Sequence, residues 1–150
     1  MSFVRAFVAT AVIASTVEPW RFPIARTTLS WCVWTANLLL IIGLWLVAFL
    51  PMYRVDLMHV MFIGGFTLLI LAVGMRVTLS HGGHGLVTEK KNWPLRLALI
   101  SGTIAMLARA GAPASYSDHL VWAALLWMLG LAIWGWRLVR LIVKRKGASG

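Results

Sequence analysis

Acidic residues are almost missing from this chain: Glu18, Asp56, Glu89 and Asp118 are the only four among 150. That scarcity excludes a paired-carboxylate active site. No nucleophile–base pair or phosphate-binding loop is present either, which argues against hydrolytic chemistry. Cysteine is scarcer still. The single Cys32 cannot form an internal disulfide, and without a CxxC motif or Cys/His cluster there is no structural zinc site. Charged residues of both signs amount to 12%, against 61% hydrophobic. A soluble domain of this length needs more polar surface to cover its core, so composition alone places the chain in a membrane.

What charge there is has one sign. Fourteen basic residues give a formal net charge of +10, which raises nucleic acid as a partner. Their positions argue otherwise. Arg21, Arg26, Lys90, Lys91, Arg96, Arg137, Arg140, Lys144, Arg145 and Lys146 sit at or beside the ends of apolar runs, where they anchor helices and face anionic lipid. No basic stripe interleaved with aromatics, as a nucleic-acid binder requires, is present. The expected partner is the lipid bilayer.

Four apolar runs are candidate spans: Trp31–Leu50, stopped by Pro51; Leu57–Leu79, stopped by Ser80-His81-Gly82-Gly83; Leu95–Ala110; and His119–Val143. A span takes ~20 apolar residues at about 1.5 Å each, so the third is the shortest that could serve. The fold class expected is all-α, an integral membrane helical bundle of four spanning helices plus a short N-terminal apolar segment. Residues 1–30 read as a partial or interfacial N-terminal helix with a basic hinge, 31–143 as the four-helix transmembrane bundle, and 144–150 as a basic tail. Ala6–Val17 is too short to span alone, and the reading preferred over a signal peptide is an incomplete helix of a longer membrane protein.

Basic residues precede the first run, separate the second from the third, and follow the fourth, while the opposite connections hold Arg54 with Asp56 and Arg109 with Asp118. By the positive-inside rule both ends of the bundle, the C-terminus and the His81–His84 loop face the cytoplasm. His59 and His119 then lie near the opposite face.

The second run carries the residues most capable of chemistry. His59 stands at one end, and Arg76 and His81 at the other, with no charge between Val60 and Met75. Ionisable groups at the edges of a span are costly unless they bind, pair or sense something. His59 and His81 are 22 residues apart, roughly 33 Å along an unbroken helix, so they cannot share one metal on one copy. As α-helical positions they lie about 40° apart around the axis. Each reads either as a haem or metal ligand or as an imidazole wetted at the interface. Arg76 either snorkels to the interface or holds an anionic group such as a propionate. His81 and His84, in a glycine-rich segment, could both serve copper. A bis-histidine haem between His59 and His119 is geometrically allowable. Asn37 reads as a hydrogen-bonding residue between helices.

At these residues the sequence resembles the NnrS family of polytopic bacterial membrane proteins. The pattern is His59, Gly64-Gly65, the apolar Leu68–Gly74, Arg76-Val77, Leu79 and His81-Gly82-Gly83. Arg21 to Trp34 is similar to the family's basic hinge and following helix, and Ala124-Leu125-Leu126-Trp127 with the basic C-terminal end also fits. Family members are much longer, so the resemblance is to their C-terminal part. The basic residue often found after His-x-Gly is His84 here, and the ending is Lys146-Gly147-Ala148 rather than acidic.

The resemblance implies a bacterial inner-membrane protein that binds haem, and copper as a second expected cofactor, in the response to nitric oxide or nitrosative stress. His59, Arg76 and His81 are the expected cofactor-binding residues, and His59, His81 and His84 the expected metal ligands. The N-terminal half, a second copy of the chain or other membrane subunits would be its protein partners. The alternative is a non-catalytic membrane subunit or assembly factor whose histidines are merely interfacial.

Overall fold

In the computed structural model, residues 2–82, 92–111 and 116–147 are described, and all of their regular structure is helical. The order is α1 (Ser2–Val17), α2 (Thr28–Phe49), α3 (Pro51–His81), α4 (Trp93–Ala110) and α5 (Tyr116–Gly147). Among the described residues, three segments are long and apolar enough to cross a membrane: Thr28–Phe49, Pro51–His81 and Asp118–Val143. The fourth expected span forms the 18-residue helix α4, which has an arginine near each end, Arg96 and Arg109. It is shorter and less apolar than the other three. His84, and with it the His81–His84 copper pair, falls outside the described residues.

Helix ends follow local chemistry. Thr27 caps α2, its Oγ1 accepting from Ser30 N at 3.2 Å. Pro51 cannot continue that helix and instead opens α3 through one 3₁₀ turn, Pro51–Tyr53. Only Leu50 separates the two helices. Pro94 occupies the first turn of α4, where a missing N–H is harmless.

The helices alternate in direction. Phe3 meets Phe49 edge-on at 5.4 Å, and the Trp45 indole donates to Thr10 Oγ1 at 3.0 Å. The Trp34 indole donates to Pro19 O at 2.9 Å. These contacts lay α1 antiparallel along most of α2, with Ala6 buried in the seam. Small residues let α2 and α3 approach closely: a Cβ built on Gly43 would stand 2.9 Å from Met61 Cβ, and one on Gly65 2.5 Å from Leu40 Cδ2. The pair α4–α5 packs most extensively, and across it the Ser101 hydroxyl donates to Leu126 O. Asn37 does not bridge helices. Its Nδ2 donates to Val33 O of its own helix at 2.8 Å.

The core gathers Leu29, Cys32, Ala72, Met75, Leu79, Leu95 and Leu141 from α2, α3, α4 and α5. Outward faces are as apolar as the core: Ile70, Ile100, Leu107, Trp122 and Leu125 are each more than half exposed. So large an exposed apolar surface belongs against lipid. Within α3 the α-helical Arg54–His59 passes into a π-helical stretch, Val60–Thr67, before α winding resumes at Leu68. Thr67 Oγ1 follows the wider turn and donates to Phe62 O, five residues back, at 3.0 Å.

Candidate functional site

α3 carries His59 and His81 at its opposite ends, and the same local bond holds both rings. His59 Nδ1 lies 2.8 Å from Val55 O, and His81 Nδ1 lies 3.0 Å from Val77 O. A carbonyl only accepts, so in each of these bonds Nδ1 is the donor, and in a neutral ring the bond leaves Nε2 as the nitrogen able to ligate. A backbone bond of this kind orients ligating histidines.

His59 is half-buried and lines a groove of about 190 Å³ between α3, α4 and α5, with Ile63, Arg109, Leu120, Ala123, Ala124 and Trp127. Beside it lies the most buried ion pair of the described residues. Arg109 Nη1 is 2.6 Å from Asp56 Oδ1, and the side chains are 8% and 18% exposed. The indole Nε1 of Trp127 is buried without a hydrogen-bond partner. Neither feature was legible in local sequence, because Asp56 has Arg54 two residues away yet pairs with a residue 53 positions on. The signal available was generic: a lone acid and a lone arginine, each at the end of an apolar run. His119 lies in the first turns of α5, half-buried and one residue before Leu120.

Arg76 belongs to a different groove. It faces about 560 Å³ of space between the Glu18–Ile24 segment, α2 and α3, walled by Phe22, Val33, Trp34, Ala72 and Val73. Arg21 lines the same groove and pairs with Glu18 at 3.0 Å. His81 is exposed at the last turn of α3, five residues beyond Arg76. Arg76 and His81 thus share one end of the bundle. His59 stands at the other, roughly 25 Å from Arg76 by helical rise. The π stretch also upsets the angular relation between the two histidines, because each π residue advances less around the axis than an α residue.

The donors present suit one kind of group better than another. Haem brings four nitrogens of its own and asks the protein for one or two axial ligands. A copper or zinc ion held by protein alone needs several donors together. No cluster of three His, Cys, Asp or Glu side chains exists among the described residues. Single imidazoles tethered through Nδ1 therefore fit haem. They do not by themselves make a protein-only copper centre.

A model of the NnrS protein family matches residues 2–146. No curated protein and no solved structure matches the chain.

Proposed function

The chain belongs to the NnrS family, and from that premise we propose that it holds haem in the bacterial inner membrane, in the response to nitric oxide or nitrosative stress. All four helices α2 to α5 cross the bilayer in this reading. The end carrying Arg21, Arg26, Arg76, Arg96, Arg137 and Arg140 faces the cytoplasm, as does the C-terminus. The apolar helices and their exposed apolar faces support the bilayer setting.

One observation carries the cofactor reading. Both histidines of α3 have Nδ1 bonded to a carbonyl of the preceding turn, which in a neutral ring leaves Nε2 free to ligate. His59 offers its Nε2 to a haem iron at the groove shared with Arg109 and Trp127. His81 does so at the cytoplasmic end. Arg76 would hold a propionate of the second of these, at whose end of the helix it stands, because it is too far from His59. Copper, if held, uses His81 with His84. When bound, haem supplies a redox-active iron with an affinity for small diatomic ligands. The protein's part is to fix the imidazoles and to exclude water with its apolar walls.

The test is an optical spectrum, oxidised and reduced, of the detergent-purified chain expressed with haem supplied. A Soret band that weakens on His59→Ala and again on His81→Ala supports the reading. Cofactor content unchanged by both substitutions sinks the ligand assignment. A colourless, folded protein that co-purifies with other membrane polypeptides would favour the non-catalytic subunit.

A further inference from the structure

A second polar groove, of about 460 Å³, opens at the basic end between α2, α3 and α4. Arg26 and Arg96 reach it from different segments of the chain, and Thr28, Trp31, Thr35 and Thr103 continue it inward. Among its described lining residues there is no carboxylate. Arg96 is tethered there: its Nε donates to Thr28 Oγ1 at 3.3 Å. The groove also meets the amino end of α2, whose partial positive charge adds to the two guanidinium groups.

Chemistry changes with depth. From Thr28 to Thr35 is about 10.5 Å along α2, and from Arg96 to Thr103 is about the same along α4. The mouth is cationic, and the inner walls are Leu68, Leu99 and the Trp31 ring together with Thr35 and Thr103, the Thr103 hydroxyl being bonded back to Leu99 O. A small soluble anion would satisfy the mouth and leave these walls uncovered. A zwitterionic lipid would bring its ammonium against two arginines. An anionic phospholipid meets both halves, phosphate at the mouth and glycerol with the first acyl carbons below.

We propose that this groove binds one anionic phospholipid, its phosphate between Arg26 and Arg96. The lipid then ties α4, the helix with two arginines near its ends, to the start of α2. Bound haem is not needed for this, so the site stands or falls separately from the cofactor reading.

Native mass spectrometry of the whole chain in detergent, titrated with phosphatidylglycerol or phosphatidylcholine, tests it. The expected result is one retained phosphatidylglycerol per chain. Arg26→Gln and Arg96→Gln should each weaken it roughly tenfold, the loss of one charge-assisted contact. Arg140→Gln removes the same charge from the same end, outside the groove, and should leave binding intact. Thr35→Phe, which narrows the inner half and spares both arginines, should also weaken it, and this variant decides the matter if the arginine variants misfold. Equal loss with Arg140→Gln would mean bulk attraction and overturn the proposal. So would equal retention of phosphatidylcholine, displacement by millimolar inorganic phosphate, or full binding in Thr35→Phe.

Discussion

The Asp56–Arg109 pair ought to be the most expensive polar contact to break in this bundle. The donor and acceptor atoms are 2.6 Å apart and both side chains are largely shielded, so solvent screens them little. With charge centres about 4 Å apart and an effective dielectric near 20, the attraction is about 4 kcal/mol. Removing Arg109 strands the Asp56 carboxylate in a low-dielectric setting, which costs about 3–5 kcal/mol. Removing both leaves no stranded charge. A double-mutant cycle with Asp56→Leu and Arg109→Met should therefore show a loss near 3 kcal/mol for Arg109→Met and a double variant better than the sum of the two single losses by about 2 kcal/mol. Reversible unfolding in mixed detergent micelles measures it. A loss below about 0.5 kcal/mol for Arg109→Met, or strict additivity, would refute the view that the two charges depend on each other.

Glycines give a paired contrast. Gly43→Ala would push a methyl against Met61 Cβ and backbone N, each 2.9 Å away, and should cost about 1–3 kcal/mol in the same unfolding assay. Gly102→Ala meets nothing within 4 Å and should be neutral or stabilising by up to about 1 kcal/mol. Trp134 Nε1 donates to Leu71 O at 3.1 Å, so Trp134→Phe should lose about 1 kcal/mol, the net worth of one hydrogen bond. In a haem-loaded preparation, Arg76→Gln should lower haem retention where His81 is present and change little in a His81→Ala background, as read from the Soret absorbance.

Apolar runs and their stops showed where the helices lie. Pro51 was visible as the end of α2, since proline's missing donor and fixed φ act on its own neighbours. Lateral pairing was not visible. Asp56 takes Arg109 because α3 and α4 are antiparallel, and nothing near either residue encodes that partner. Asn37 shows the same limit from the other side: an amide between helices was expected, but it bonds a helix carbonyl four residues back. The span status of α4 was hard to read because Arg96 and Arg109 shorten its apolar stretch at both ends. Of the site residues, His59, Arg76 and His81 stood out by their charge in an apolar run. Their division between two ends of one helix followed from spacing alone. Most groove partners of His59, above all Trp127, come from α5, more than fifty residues later, and left no local trace.

The π-helical stretch Val60–Thr67 makes α3 two rods whose relative rotation depends on winding. Its wider turns absorb residues without a matching advance around the axis. Deleting one residue within 60–67 would retighten the stretch toward α winding and largely keep the His59 rod in phase with the Arg76–His81 rod, whereas the same deletion within either α-helical rod would swing the two by roughly 100°. Length changes among relatives should collect at this stretch, and a role carried across it by counting residues must first be corrected for its phase.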